Sequence, residues 1–153
     1  IYSNFTIKGI KMNFICFFNI FFRYGKKLLE TMLSDYKLNM QELIILLVIH
    51  ESPGIYQSKL INFSGLDKGN FSKLLKHLEL NNLIYRSESS ELTGQNQCFL
   101  TEDGKSLIPN LLQVMNNWEN AVTNDIDQEN LAQFSYTSLK ISNNLFNHLQ
   151  IKW

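Results

Sequence analysis

The sequence predicts a mainly α-helical fold with a small β-wing of two or three strands. Apolar residues recur at intervals of three and four along most of the chain, a period typical of amphipathic helices. Only 7 glycines and 2 prolines occur among 153 residues, which argues against a turn-rich β fold. Two short segments, 83–86 and 95–100, flank a polar stretch and predict the hairpin of the wing.

The first predicted helix covers residues 12–33, and its apolar arc is widest at the beginning. There, Ile15, Cys16 and Ile20 extend a stripe of phenylalanines around the helix. A helix that is apolar nearly all round has to be buried, either in its own chain or by a partner chain. The polar segment 34–39 is expected to end this helix.

A second helix is predicted to begin at Asn39, where Glu42 three residues later can complete a capping box. Seven consecutive apolar residues, 43–49, could also form a buried strand. Their polar flanks favour a buried helix instead. Residues 52–54, with the sequence Ser-Pro-Gly, are the strongest turn signal in the chain.

Two helices joined by a short glycine-containing turn follow, which is the pattern of a helix-turn-helix. The first is predicted over residues 55–64, and Ser64-Gly65 ends it. The second is predicted to run from an Asp67 cap to about Leu80. Its apolar positions, spaced i, i+3, i+4 and i+7, are Phe71, Leu74, Leu75 and Leu78.

The opposite face of the helix at 67–80 is polar and basic, which suits a helix that enters a DNA major groove. Asparagine can pair with adenine, and lysine with guanine or phosphate. The start of the preceding helix can bind phosphate through its backbone amides. A merely solvated basic face is the alternative interpretation of the same pattern. The candidate DNA contacts are Tyr56, Gln57, Ser58, Lys59, Lys68, Gly69, Asn70, Ser72, Lys73, Lys76, His77 and Arg86.

The charge of the chain is divided between its two parts. The formal net charge is zero, from 14 basic and 14 acidic residues. Residues 1–87 hold eleven basic and six acidic residues, whereas residues 88–153 hold three and eight. Because a partner senses the local field and not the sum, a net charge of zero does not exclude nucleic acid as a partner.

Beyond the wing, Thr101 is expected to cap a helix that carries Gly104 in its first turn and Pro109 inside it. A proline inside a helix should kink it. Residues 124–127 break the chain again, and a last helix follows. The predicted organisation is a winged helix-turn-helix domain at 39–101, a linker helix at 102–124, and a helical dimerisation region at 12–38 and 125–150.

Two segments resemble motifs of the MarR-type winged-helix transcriptional regulators. The run 57–79, followed by leucine and isoleucine at 83–84, resembles the helix-turn-helix of that family. The sequence Leu-Thr-Glu-Asp-Gly-Lys at 100–105 resembles the Leu-Thr-x-x-Gly segment after the family's wing. The order of the elements also matches across residues 12–150, nearly the whole chain.

The resemblance implies a homodimeric DNA-binding transcription regulator, acting as a repressor, that places helix 67–80 in the major groove of a pseudo-palindromic operator. It also implies a response to a small-molecule effector. In the family, the first and last helices of two subunits interdigitate. The residues expected at that interface are Phe14, Phe17, Phe18, Phe21, Leu131, Phe134, Ile141, Leu145 and Leu149. The expected effector pocket near it would be lined by Phe17, Phe21, Tyr24 and Trp118.

The wing departs from the family pattern. Family wings usually carry an Asp-x-Arg motif whose arginine approaches the minor groove. Counting back from the Leu-Thr pair places Leu92 and Gly94 at those two positions. Residues 87–97 contain Glu88 and Glu91 and no basic residue, so a DNA contact of the usual kind is not expected from this wing.

The cysteines and histidines show no metal-ligand spacing. Some MarR relatives sense hydroperoxides through a cysteine of the first helix that is held by tyrosines. Cys16 lies about one residue from that position, and Leu29 stands near the place of an expected tyrosine. Core packing is therefore the favoured role of Cys16. Cys98 is predicted to be buried, and His50 to favour the end of its helix.

Membrane and secretory signals are weak. No apolar run approaches the roughly 20 residues of a membrane span. Residues 12–22 mimic a signal peptide, but Asn13 and Asn19 interrupt it and Arg23 follows where a cleavage site should lie. A cytoplasmic protein is therefore expected, and Met12 could be its initiator, with residues 1–11 upstream.

The sequence contains no catalytic signature. A glycine-rich phosphate loop, a nucleophile elbow and paired catalytic carboxylates are all missing from it. Neither an enzyme nor a cofactor is expected. The main alternative to a regulator is a winged-helix dimer that binds a protein partner and no longer reads DNA.

Overall fold

A computed structural model of the protein describes residues 6–7 and 9–151. Of the upstream segment 1–11, residues 1–5 and 8 lie outside the described residues. The strands are β1 (Thr6–Ile7), β2 (Ile10–Lys11), β3 (Ile55–Tyr56), β4 (Ile84–Glu88) and β5 (Asn96–Leu100). The α-helices are α1 (Phe14–Ile20), α2 (Lys26–Met32), α3 (Met40–Glu51), α4 (Gln57–Ser64), α5 (Lys68–Leu80), α6 (Glu102–Val122) and α7 (Gln128–Leu149). The predicted fold class, mainly helical with a small antiparallel wing, is confirmed.

The chain divides into two compact units, one ending at Trp118 and the other beginning at Glu119. The first unit has a core of leucine, isoleucine and phenylalanine side chains contributed mainly by the helices from α2 to α6. No helix of the described residues is both long enough and apolar enough to cross a membrane.

The helix predicted over residues 12–33 is interrupted in the middle. The α-helical segments α1 and α2 are joined by a π-helical turn at Phe21–Gly25, and a 3₁₀ turn at Ser34–Tyr36 follows them. At the end of the π turn, the Gly25 carbonyl accepts a 3.0 Å hydrogen bond from the indole nitrogen of Trp118. A π turn bonds residue i to i+5 and an α turn bonds i to i+4, and over only five residues this difference is too small to show in the apolar spacing.

Helix α3 forms as predicted, and its capping box is complete. The Glu42 amide donates to Asn39 Oδ1 at 3.0 Å, and the Asn39 amide donates to Glu42 Oε2 at 2.9 Å. The strand alternative for residues 43–49 is wrong, because this segment lies inside the helix and buries most of its side chains in the core.

The helix-turn-helix differs from the prediction at its first residues. Helix α4 begins at Gln57 and not at residue 55, because Ile55 and Tyr56 form strand β3, which pairs with β5. Helix α5 begins as predicted, with Asp67 Oδ1 accepting a 3.0 Å hydrogen bond from the Asn70 amide. Between them, Gly65 takes the left-handed conformation, with φ of 64°, which glycine adopts without strain.

The wing is a three-stranded antiparallel sheet in the order β3-β5-β4. Its strands β4 and β5 match the predicted pair within about two residues, and they place Arg86 opposite Cys98. Cys98 is fully buried, as predicted. Tyr85 and Phe99 are also opposite each other, and their rings stack with centroids 5.2 Å apart.

Helix α6 starts as the sequence predicts. Thr101 Oγ1 accepts a 3.0 Å hydrogen bond from the Gly104 amide, and the helix continues through Pro109. Gly104 lies so close to the Leu83 carbonyl that a Cβ atom at this position would collide with it. The glycine therefore permits close contact between α6 and the chain entering the wing.

In the second unit, helix α7 is capped by Asp127, whose Oδ1 accepts a 2.8 Å hydrogen bond from the Asn130 amide. None of its residues is buried. Large apolar side chains such as Phe134, Leu145 and Leu149 are more than half exposed. Helix α7 thus carries exposed apolar side chains.

Candidate nucleic-acid interface

Helix α5 has a clear division between a buried face and an exposed face. The four predicted apolar positions are buried in the core. Six of the candidate DNA contacts lie on the exposed side of α5 and are solvent-accessible, namely Lys68, Gly69, Asn70, Ser72, Lys73 and Lys76. Three of these six are lysines, so this surface presents positive charge to solvent.

Asn70 also takes part in the cap of α5. Its side-chain amide donates to Asp67 Oδ2 at 2.6 Å, while its backbone amide donates to Asp67 Oδ1. These bonds, led by the backbone one, lower the pKa of the Asp67 carboxyl group. The structure therefore couples a candidate base-reading side chain to the cap of its own helix.

His77 lies on the flank of α5 and contacts a buried carboxylate. Its Nδ1 is 2.5 Å from Glu42 Oε1 in helix α3, and its Nε2 is 3.0 Å from the side-chain nitrogen of Asn81. Glu42 is 4% exposed and also completes the α3 capping box. His77 is predicted from the sequence as a DNA contact, and in the structure its ring also bonds Glu42 while 52% of its side chain is exposed.

Arg86 in strand β4 is likewise bound within the protein. Its Nε and Nη2 atoms donate to the two Glu79 carboxylate oxygens at 2.8 and 2.6 Å. Its Nη1 donates to Gln57 Oε1 at 3.3 Å. Glu79 is near the end of α5, and Gln57 is the first residue of α4. Two candidate DNA contacts, Arg86 and Gln57, are therefore bonded to each other. The hydrogen bonds that Arg86 donates to Glu79 raise the pKa of Arg86.

The wing folds back onto the start of α4. The Tyr56 hydroxyl is hydrogen-bonded to Ser89 Oγ at 3.3 Å and donates to Glu91 Oε2 at 3.5 Å. Ser58 Oγ donates to Gln95 Oε1 at 3.3 Å. Lys59, on the same helix, is exposed. The acidic wing therefore borders the end of α4 that would approach a phosphate.

Ser89 organises the tip of this wing. It is 6% exposed, and its Oγ accepts hydrogen bonds from the amides of Glu91 and Leu92, each at 3.1 Å. Gly94, at the position where the family wing has arginine, has φ of 77°. A left-handed glycine and an exposed Leu92 thus replace the usual charged pair.

Three residues that bond the candidate side chains are not predicted from the sequence. Glu42, Glu79 and Ser89 were not among the candidate site residues, although all three bind candidate side chains. The sequence pattern predicts Glu42 only as a capping residue of α3. Their partners lie 7 to 35 residues away along the chain, so no local period or motif links them.

A separate cavity of about 220 Å³ lies in the first unit. Two residues of the predicted effector pocket, Phe21 and Trp118, line it, together with residues of α2, α3 and α6. Phe17 and Tyr24 are not among its lining residues, and Tyr24 is 57% exposed. The lining is apolar apart from Lys26, so this cavity suits a small apolar or aromatic molecule.

The residues expected at a subunit interface are partly or fully exposed in the single chain. In the first unit, Phe14, Phe18 and Phe21 are 43–58% exposed, and Phe17 is half-buried. In the second unit, the half-buried members are Leu131 and Ile141, and the exposed ones are Phe134, Leu145 and Leu149.

The two cysteines differ in their surroundings. Cys16 is half-buried, whereas Cys98 is fully buried. Burial raises the pKa of the Cys98 thiol to about 11, although the nearby Arg86 opposes the shift. Among the described residues, no group of three or more histidine, cysteine or acidic side chains could hold a metal ion.

Comparison with known proteins supports the same fold. The family model described as MarR family matches residues 38–91. A crystal structure of MarR is 24% identical with a TM-score of 0.75, covering 89% of this chain and 99% of that one. A SlyA-like transcription regulator from Listeria monocytogenes is 20% identical with a TM-score of 0.81, covering 90% and 91%. No curated protein matches the sequence significantly.

A third similar structure is that of a mutant MarR from E. coli complexed with operator DNA. It is 16% identical with a TM-score of 0.73, covering 82% of this chain and 91% of that one. The likeness extends well beyond the segment matched by the family model. Residues 38–91 thus match the MarR family model, and the chain has the fold that MarR and SlyA-like transcription regulators share.

Proposed function

We propose that the protein is a homodimeric DNA-binding transcription regulator that acts as a repressor. The observation that carries this proposal is the exposed lysine-bearing face of α5 inside a MarR-family domain. Lys68, Lys73 and Lys76 project from a helix whose other face is anchored in the core. A similar fold from E. coli has been solved with operator DNA, which supports DNA as the partner of this fold.

The mechanism follows from the placement of α5 in a helix-turn-helix. Each subunit would insert α5 into a major groove, where Ser72 and the lysines can bond base edges and phosphates. Two subunits would read half-sites about 10 bp apart in a pseudo-palindromic operator. The acidic wing would add little affinity, because Glu88 and Glu91 repel phosphates.

Dimerisation is supported by apolar surface in both units. Phe14, Phe18 and Phe21 are exposed near the start of the chain, and α7 exposes a row of large apolar residues. Exposed apolar patches of this kind mark interaction surfaces. A dimer would bury them between two subunits.

Sedimentation equilibrium tests the dimer. We expect a dimer for the wild type and a shift towards monomer for Leu145→Glu, which puts a charge on the exposed apolar face of α7. Asn144→Glu, with the same charge on an adjacent exposed residue, is the matched control. A stable wild-type monomer would contradict the proposal.

An effector is proposed for the cavity lined by Phe21 and Trp118. Its apolar lining and its volume of about 220 Å³ suit a small aromatic or apolar molecule. A ligand that prefers one separation of the two α5 helices would shift the protein towards that state and change its affinity for DNA.

Selection of bound fragments from genomic DNA tests the regulator proposal directly. We expect a small set of related pseudo-palindromic sequences. A salt titration on a selected duplex should then show a steep loss of affinity, since each neutralised phosphate contributes a slope of about −0.9 in log K against log salt. Failure to bind any duplex at low salt would refute DNA binding.

The second candidate is a winged-helix dimer that binds a protein and does not read DNA. The acidic wing favours it, because residues 87–97 carry two glutamates and no basic residue. A wild-type protein that forms a dimer but binds no DNA duplex would support this alternative. We propose neither enzymatic activity nor a cofactor, and we place a regulator of this kind in the cytoplasm.

A further inference from the structure

Arg86 links three elements of the winged helix-turn-helix. It belongs to strand β4, and its guanidinium group binds both carboxylate oxygens of Glu79 in α5 and the side-chain oxygen of Gln57 in α4. The Arg86 and Glu79 side chains are only 27% and 28% exposed. A two-pronged arginine–carboxylate pair fixes direction as well as distance, so this contact orients α5 relative to the wing and α4.

A second contact holds α5 from the other side. His77 Nδ1 is 2.5 Å from the buried Glu42 of α3. Because an α-helix turns about 100° per residue, His77 and Glu79 point to nearly opposite flanks of α5. The exposed stripe with Lys73 and Lys76 lies between the two flanks. Rotation of α5 about its own axis would break a contact on at least one side.

We propose that Arg86 is a positioning residue that fixes the rotation of α5, and that it is not itself a DNA contact. This inference rests on the proposed DNA-binding function and assigns a role within that same site. A guanidinium already bound to a carboxylate presents little net charge to a phosphate. Its contribution is to hold Ser72, Lys73 and Lys76 in one orientation, so that their spacing can match the groove.

The first arm of the test uses the free protein and needs no DNA. Arg86→Ala, Glu79→Gln and the double variant form a double-mutant cycle on urea unfolding. We expect the double variant to be about as stable as either single variant, and we expect faster amide hydrogen exchange at the end of α5 in all three. Glu88→Gln, on the same strand as Arg86, is the matched control. Its change in unfolding free energy should add to that of Arg86→Ala.

The second arm measures binding to a duplex that the wild-type protein selects from a random-sequence library. We expect Arg86→Ala and Glu79→Gln each to weaken binding roughly tenfold, with the double variant no weaker. The salt dependence should be unchanged, because no phosphate contact is lost. Arg86→Lys should recover only part of the affinity, since an ammonium group cannot reproduce the three bonds.

The direction in which Glu79→Gln changes the affinity for DNA is decisive. Removing a bystander carboxylate near DNA would strengthen binding, whereas removing the partner of a positioning arginine weakens it. The inference would be overturned if Arg86→Ala lowered the slope of log K against log salt by about one unit. Stronger DNA binding by Glu79→Gln would overturn it as well. Additive stabilities in the first arm would overturn it independently. If the wild type selects no duplex, the proposed function fails, and the first arm still decides whether the contact orients α5.

Discussion

The indole nitrogen of Trp118 donates a 3.0 Å hydrogen bond to the backbone carbonyl oxygen of Gly25, which lies 93 residues earlier in the chain. Gly25 ends the π-helical turn between α1 and α2. A Cβ atom at Gly25 would be 3.2 Å from the Trp118 ring, so the glycine also leaves room for the indole. This hydrogen bond holds α6 against the π-helical turn. Gly25 and Trp118 both line the apolar cavity.

We expect Trp118→Phe to lower the free energy of unfolding by about 1 kcal/mol, because it removes the hydrogen bond to Gly25 while keeping an aromatic ring. Urea unfolding followed by circular dichroism measures the change. Asn116→Ala, an exposed position on the same helix, serves as control and should change the stability by less than about 0.5 kcal/mol. Equal stabilities of Trp118→Phe and the wild type would contradict a stabilising role for the bond.

Gly104→Ala is expected to destabilise the fold strongly, by about 3 kcal/mol or more, because the added methyl group collides with the Leu83 carbonyl. That backbone atom cannot yield without moving the chain that enters the wing. Gly69→Ala is the matched control in α5, where a Cβ atom would meet only the side chain of Asp67 at 3.3 Å. Thermal unfolding of the two variants compares them, and similar melting temperatures would refute the close contact.

Lys73→Ala should weaken binding to a selected duplex and lower the salt slope by about one unit, since one phosphate contact is lost. Lys105→Ala is the control, because Lys105 on α6 forms a 2.7 Å ion pair with Glu102. Its slope should equal that of the wild type. The comparison uses fluorescence anisotropy at several salt concentrations. An unchanged slope for Lys73→Ala would remove Lys73 from the phosphate contacts.

Neutralising the wing should strengthen DNA binding. We expect Glu88→Gln with Glu91→Gln to raise affinity on the order of threefold at low salt, because two charges that repel phosphates are removed. Glutamine at position 91 retains an oxygen that can accept a hydrogen bond from the Tyr56 hydroxyl. This gain in DNA affinity should disappear at high salt, where surface charges are screened. A loss of affinity would mean that the acidic wing contributes favourably to binding.

Cys98 should make stability depend on pH in the alkaline range. Burial raises its pKa from 9.0 to about 11, so between these values the unfolded chain releases the thiol proton while the folded chain retains it. The stability associated with the neutral buried thiol is therefore present below about pH 9 and is lost as the pH rises towards 11. The stability difference between wild type and Cys98→Ala should shrink across this window. A constant difference in urea unfolding would contradict the prediction.

Much of the fold could be predicted from local sequence signals. The capping box of Asn39 and Glu42, the Asp67 cap and the spacing of the α5 core residues each depend on residues within one or two helical turns. The wing strands were also predictable, because their apolar residues flank a polar turn. The π-helical turn at Phe21–Gly25 and the pairing of Ile55 with the wing were not, because neither changes the apolar period of the sequence.

The sequence by itself determined which helices form, which of their faces are apolar, and that α5 presents lysines to solvent. Only the tertiary structure decided which partners the remaining polar side chains bond. Residue type placed His77 and Arg86 among the DNA contacts, and the fold bonds them to Glu42 and Glu79. Helix periods and caps act over a few residues, whereas these partners meet only after α3, α5 and the wing have packed together.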